Sequence, residues 1–264
     1  MMLKVNEVVK LIEEIAKPKY AYDWDNCGLL VGDGQQEIIK ILITLDVTKE
    51  VVEEAIEQKC GMIISHHPLI FRAVKSITAD SYIGEIVSLL YKNDISLYCA
   101  HTTLDICFGG VNDALCKVLE IQNANLLAPF EVDGELVACG RKGEFSKEMT
   151  AQELIAFVKE KTGATNVRGS LEDKKYKTVA LSGGAGEEFA FDALESDVFI
   201  TGEIKHHTAL ELKRRNMSYL AIGHHESEIH FAQTFACSLQ NKLNMLQLNA
   251  QVCVSKINTN PFDC

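Results

Sequence analysis

The chain has 264 residues, 47% hydrophobic and 24% charged, which excludes a disordered polymer. Only 4 Pro and 17 Gly exclude a collagen-like or linker-dominated architecture. A formal net charge of −11 argues against non-specific binding to nucleic acid or to an anionic membrane.

This length suits one large domain or two small ones. No apolar run is long enough to span a bilayer. The N-terminus, MMLKVNEVVKLIEEIAK, has helical period and lacks the apolar block of a signal peptide. We therefore expect a cytoplasmic protein. The 9 Cys form no CxxC pair. Buried reduced thiols fit that pattern better than a disulfide framework or a zinc ribbon.

In chain order, the first helix is predicted over Asn6 to Ala16, ended before Pro18. AYDWDNCGLLVGD, dense in Asp, Asn and Gly, reads as loop. Ile38 to Asp46 (IIKILITLD) is a continuous β-branched run, as in a strand covered on both faces. TKEVVEEAIEQK follows as a helix with Thr48 as N-cap. GMIIS is a strand ending at His66-His67, IGEIVSLLYKN a helix, and ISLYCA a strand ending at His101.

The rhythm then recurs. YKTVALSGG (Tyr176 to Gly184) is strand-like, EEFAFDALE helical, DVFITG a strand, KHHTALELKRR a helix, and MSYLAIG a strand ending at His224-His225. Strands alternating with helices imply parallel βαβ units. The two passes imply an internal duplication of one α/β unit. Residues 121–175, with a helix at Ala151 to Lys161 and strand-like GELVACG, are expected as a small lobe of their own. A helix from Ser227 to Leu243 and a closing strand in MLQLNAQVCV complete the chain. The expected domains are 1–125 and 126–264, with the C-terminal helix able to pack back on the first.

All 8 His fall in four places: His66-His67, His101, His206-His207, and the run His224, His225 and His230. All but His230 stand at or just beyond the C-terminal end of a predicted strand, where α/β sheets bind ligands. Any single one is most simply a satisfied surface or core histidine. Four clusters sharing one structural address are harder to dismiss. His101-Thr-Thr-Leu-Asp105 and His224-His-Glu-Ser-Glu228 each set an imidazole four residues from a carboxylate. On a helical turn such a pair shares a face and can converge on one ion. Imidazole with carboxylate suits zinc, manganese, iron or nickel. These donors exceed the needs of one tetrahedral zinc and suit two ions roughly 3.5–4 Å apart.

Competing motifs fail. SGGAGEE lacks the GK[ST] of a phosphate loop and the GxGxxG spacing, so it reads as a tight strand-to-helix turn. Ser65 lacks a GxSxG elbow. Lys213 to Arg215 is a solvated helix end.

DWDNCGLLVGD, ISHHPLIF, AHTTLD, TGEIKHH and GHHESE, in that order, resemble the Nif-three-like family of GTP cyclohydrolase I type 2 homologues, in its short bacterial form. The resemblance implies two similar, intertwined three-layer α/β/α domains with a dinuclear metal site in the cleft between them. It also implies a toroidal homohexamer. Carried onto this chain, the metal ligands are His66, His67, Asp105, His224 and Glu228. His101 stands beside the site as a further ligand or a catalytic proton-transfer group. His206-His207 matches a family position of uncertain role, and His225 receives none.

The implied activity is a metal-dependent hydrolase opening the imidazole ring of GTP, giving formate and 7,8-dihydroneopterin triphosphate. Arg72 and Lys75 are candidates for the phosphates, against the simpler reading of a solvated loop. The same ligands equally serve a non-enzymatic metal-handling or scaffold protein, or a di-metal nucleotide phosphoesterase.

Overall fold

The structure is a computed structural model describing residues 3–262. It opens with β1 (Leu3–Lys4), α1 (Val5–Ile15), β2 (Gly28–Val31), β3 (Glu37–Ile38), β4 (Lys40–Thr44), α2 (Lys49–Glu57), β5 (Met62–Ser65), α3 (Tyr82–Lys92) and β6 (Ser96–Cys99). Then come α4 (Thr102–Ile106), α5 (Val111–Val118), β7 (Gln122–Leu127), β8 (Phe130–Val132), β9 (Glu135–Val137), β10 (Gly140–Met149), α6 (Ala151–Thr162) and β11 (Arg168–Ser170). The remainder is β12 (Tyr176–Ser182), β13 (Val198–Thr201), α7 (His206–Arg214), β14 (Ser218–Ala221), α8 (His224–Glu228), α9 (Phe231–Met245) and β15 (Gln251–Val254). Among the described residues, no helix is long and apolar enough to cross a membrane.

This mixed α/β chain divides into two compact units. The first holds the described residues through Leu104 and those from Ala232 onward; the second is Asp105–Phe231. The division therefore differs from the expected one at 125/126. Helix α5 gives Leu115 and Cys116 to the core of the second unit, and β15 returns to pair in parallel with β4 in the first.

The first unit carries a five-stranded sheet of order β15-β4-β5-β6-β2. Its first four strands are parallel and β2 runs antiparallel on β6. Strand β4 is apolar at every position from Ile41 to Ile43, all fully buried, because helices cover both faces. On one face Leu42, Ile63 and Leu97 pack with Val51, Val52 and Ala55 of α2 and Ile86, Val87 and Leu90 of α3. On the other, α1 places Glu13 beside Tyr98; burial first, and that carboxylate second, raise the Tyr98 pKa. Lys242 of α9 bonds Glu14 of α1 at 2.5 Å. Thr48 caps α2 as expected, its hydroxyl accepting from Val51 N–H at 3.3 Å. The segment expected as loop contains β2, a short edge strand hidden from the sequence by its flanking Asp and Gly residues.

The second unit carries a six-stranded sheet of order β11-β14-β13-β12-β10-β7. Strands β12, β13 and β14 are parallel; the other three pair antiparallel. Residues 121–175 are not a separate lobe. β7 and β10 extend the sheet, and α6 packs Leu154 and Val158 against Phe145, Val179 and Leu181. The polarity of GRKGEFSKEM conceals β10, which buries Arg141, Phe145 and Met149. The opposite face packs Ala180, Phe199 and Tyr219 with Ala190, Ala193 and Leu212. EEFAFDALE forms only a 3-10 turn, Gly186–Phe189. The helix expected from Ser227 breaks into α8 and α9.

Each unit thus has three consecutive parallel strands with an antiparallel strand beside the third. The registers correspond: Thr44, Ser65 and Cys99 are aligned in one sheet, and Ser182, Thr201 and Ala221 in the other. By that register Gly202 and Glu203 hold the address that His66 and His67 hold in the first unit.

Candidate metal centre

In the first unit the functional side chains leave the carboxyl ends of β4, β5 and β6. The ladder runs one step past the strands: His66 N–H donates to the Thr44 carbonyl at 3.2 Å, His67 N–H to Leu45 at 2.9 Å, and Ala100 N–H to Ser65 at 2.9 Å. This fixes the backbone from which three imidazoles project. His66, His67 and His101 each offer a ring nitrogen, and these atoms lie within 4.8 Å of one another.

Each ring is held at Nδ1. His66 Nδ1 donates to the Ala100 carbonyl at 3.2 Å. His67 Nδ1 lies 2.7 Å from Asp46 Oδ1, and His101 Nδ1 lies 2.9 Å from Asp25 Oδ1. A proton on Nδ1 puts the ring's lone pair on Nε2, the arrangement that orients metal-binding histidines and raises their basicity. Asp25 is itself well held, its side chain fully buried. It accepts from the Thr102 N–H at 3.0 Å and from the Thr102 hydroxyl at 2.5 Å. Burial alone would raise its pKa, but hydrogen bonds from His101 and Thr102 outweigh burial and hold it well below the usual carboxylate range.

The second unit repeats the device with a different residue set. His224 and Glu228, four apart on α8, approach with Nε2 and Oε2 at 3.2 Å. His224 Nδ1 is held by Glu203 Oε1 at 3.2 Å. The short helix sits close because two glycines leave room. A Cβ on Gly184, whose φ is +56°, would fall 2.1 Å from Glu228 Oε1 and 3.3 Å from His224 Nε2. One on Gly202 would meet the Gly184 carbonyl at 2.5 Å and the Ser227 hydroxyl at 2.6 Å. Gly184 N–H donates to that hydroxyl at 2.9 Å, which itself donates to the His224 carbonyl at 2.8 Å. Asp105 lies on α4, half-buried. Buried Asn112 joins it to the glycine turn, donating to the Asp105 carbonyl at 3.1 Å and accepting from Gly183 N–H at 2.8 Å.

Of the five ligands named from the sequence, four fall into two sets: His66 and His67, joined by His101, and His224 with Glu228. Asp105 is tied to the strand end that packs against Glu228. His101 stands among the imidazoles with the same Nδ1 support as His67. His206 and His207 fall on the first turn of α7 and are exposed; the strand-end address of that segment belongs to Gly202 and Glu203. Arg72 and Lys75 lie on an exposed loop. Missed by sequence reasoning were Asp25, Asp46, Glu203 and Asn112. Three had a signal: Asp46 closes the run IIKILITLD, Asp25 sits in DWDN, and Glu203 in TGEIKHH.

The donors present fit a divalent ion of the zinc, manganese, iron or nickel type, since they are imidazole and carboxylate. Nearby thiols are otherwise engaged: Cys99 Sγ donates to the His66 carbonyl at 3.1 Å, and Cys27 Sγ to Asp25 Oδ2 at 3.1 Å. Burial first raises the Cys99 pKa well above its usual value.

Fold and site together define an α/β protein of two units whose strand ends carry metal-type donor sets. The chain belongs to the Duf34/NIF3 (NGG1p interacting factor 3) family, which matches residues 3–261. It is 37% identical over 265 residues to a protein of Clostridium perfringens named GTP cyclohydrolase 1 type 2 homolog, covering 99% of each chain. Its structure is similar to that of a Bacillus cereus protein related to NIF3, with a TM-score of 0.95 at 25% identity, covering 100% of this chain and 99% of the other. A hypothetical protein of Staphylococcus aureus matches with a TM-score of 0.94 at 32% identity over 100% of both chains.

Proposed function

We propose that the chain is a divalent-metal-dependent hydrolase using two divalent ions, with His66, His67, Asp105, His224 and Glu228 as ligands and His101 as a further ligand or proton-transfer group, and that its substrate is GTP or a closely related nucleotide. The observation that carries this reading is the Nδ1 support of four imidazoles: one carbonyl and three carboxylates fix ring orientation and direct Nε2 outward. Such investment in orientation is characteristic of metal-binding histidines. The name borne by the Clostridium relative points to GTP as substrate.

When bound, divalent ions supply Lewis acidity and acidify water near neutral pH. The chain's own residues do the rest. Asp46, Asp25 and Glu203 hold His67, His101 and His224 in one tautomer. Asp105 and Glu228 supply the negative charge that offsets the ions. Where His101 does not ligate, its Nε2 would relay a proton toward a ring nitrogen of the substrate. Release of formate from the purine ring is the reaction we assign, in a homohexamer.

The test is to reconstitute purified protein with zinc, manganese, iron or nickel, measure bound metal, and assay the same sample for formate from GTP and phosphate from nucleotides. Formate release that depends on metal supports the reading. Phosphate release without formate replaces it with a phosphoesterase. Neither product from fully loaded protein removes the enzyme reading and leaves a metal-handling role.

A further inference from the structure

We propose that Trp24 and Phe71 form a seat for a planar heteroaromatic ring, a purine base, at the mouth of the histidine trio; this deepens the nucleotide reading and rests on it. Both rings are unusually open, Trp24 at 59% and Phe71 at 48% exposure. They meet at 5.9 Å between centroids with planes 60° apart. Each also abuts His101, at 6.1 Å for Trp24 and 6.2 Å for Phe71. Tyr22 backs Trp24 at 5.6 Å. The result is an aromatic corner, open to solvent, with a candidate metal-binding imidazole at its base. A ring stacked on one wall presents its edge to the other, the offset and edge-to-face contacts that aromatic pairs prefer.

The corner is built and held rather than left over from the core. Asp25, directly after Trp24, is locked to His101 and Thr102. Asn26 then donates its side-chain N–H to the Ile70 carbonyl at 2.6 Å, tying the turn that carries Trp24 to the loop that carries Phe71. Two segments distant in sequence are thereby fixed to each other and to His101. Rings held in this way lose little further freedom when a ligand stacks. Base stacking on aromatic side chains tolerates any π face and needs no hydrogen-bond code. The site recognises base rather than phosphate through this corner; the exposed Arg72, next to Phe71, is the nearest basic residue in sequence.

Trp24 is the chain's single tryptophan, so fluorescence excited selectively at tryptophan, beyond the tyrosine band, reports on this wall alone. The experiment titrates metal-reconstituted full-length protein with guanosine, GTP, inorganic triphosphate and ribose 5-phosphate. It also measures acrylamide quenching with and without guanosine. We expect saturable quenching by guanosine and GTP, none by triphosphate or ribose 5-phosphate, and shielding of Trp24 from acrylamide by guanosine. Phe71→Ala should weaken guanosine about tenfold, from the usual contribution of one stacked base, and Phe71→Tyr should restore it.

Equal quenching by triphosphate, a tryptophan already shielded in ligand-free protein, or no guanosine signal from metal-loaded protein overturns the seat. Formate release with an unchanged KM in Phe71→Ala also overturns it while leaving the hydrolase reading intact. Guanosine binding lost in Phe71→Ala, without formate release by the native protein, supports the seat and sinks the hydrolase reading.

Discussion

His67 Nδ1 lies 2.7 Å from Asp46 Oδ1, and the other Asp46 oxygen, Oδ2, accepts from the Thr259 hydroxyl at 2.7 Å. A residue near the C-terminus thus steadies the carboxylate that orients a metal-type imidazole. Asp46→Asn keeps the shape and removes the charge. Outer supports of this kind are worth about 10–100-fold in metal affinity. We predict a loss of that size in a zinc titration by calorimetry, with a native far-UV circular dichroism spectrum. Unchanged affinity would mean that Asp46 does not orient His67.

Gly184 supplies a second test. Gly184→Ala adds both left-handed strain and a clash with Glu228, whereas Gly163, at φ +77°, has nothing within 4 Å of its would-be Cβ. Gly163→Ala should cost about 1 kcal/mol, the conformational term alone. Gly184→Ala should cost more and also release metal, because Glu228 must move. Urea unfolding of both variants with metal analysis checks this. Equal costs with metal retained would show that Glu228 does not depend on the bare turn.

Much of this was legible in the sequence, for physical reasons that can be named. The buried parallel strands β4, β5, β12, β13 and β14 announce themselves because burial on both faces selects apolar, largely β-branched runs with few charges. The histidines stand out because they interrupt such runs at their ends. What stayed hidden is what polarity conceals. β10 reads as a charged loop, since only Arg141, Phe145 and Met149 of its side chains need burial and Arg141 is itself charged. Arg141 is tolerated there because Asp113 accepts from its Nε at 2.6 Å through Oδ1 and from its Nη2 at 3.3 Å through Oδ2, and three backbone carbonyls accept from its other N–H groups. The orienting carboxylates Asp25, Asp46 and Glu203 escaped because their partners are remote in sequence: Asp25 meets His101 and Glu203 meets His224 only once the sheets form.

Asp197 contributes to the acid stability of the second unit. Its Oδ2 accepts from Lys177 N–H at 2.9 Å and Thr178 N–H at 2.8 Å, pinning β12. Burial would raise its pKa; hydrogen bonds from Thr178 and Lys177 outweigh burial and lower it. The folded pKa lies below the unfolded value of about 3.9. Its stabilisation is therefore full above that pH and is lost as pH falls through the folded pKa. Asp197→Asn should be less stable than the native protein at pH 7, and the gap should close in acid. Chemical denaturation from pH 7 down to pH 2 measures it; a gap independent of pH would contradict the assignment.

The ions should serve chemistry rather than folding. Each unit has its own buried core, Leu42 and Ile63 with α2 and α3 in one, Val179 and Ile200 with α5 and α6 in the other. Such cores need no metal support, unlike small thiolate-bound zinc domains. Chelation, or Glu228→Gln, should strip metal and abolish hydrolysis while the circular dichroism spectrum stays native. Unfolding on chelation would show a structural site.

Metal should be held by imidazole and carboxylate, in a chain that also carries 9 Cys. Zinc K-edge X-ray absorption on reconstituted protein addresses it directly, because Zn–N and Zn–O distances of about 2.0–2.1 Å separate cleanly from Zn–S at about 2.3 Å. We predict a sphere of nitrogen and oxygen with imidazole scattering and no sulfur, its imidazole signal reduced in His66→Ala. A sulfur shell, or a spectrum unchanged by His66→Ala, would contradict the assignment.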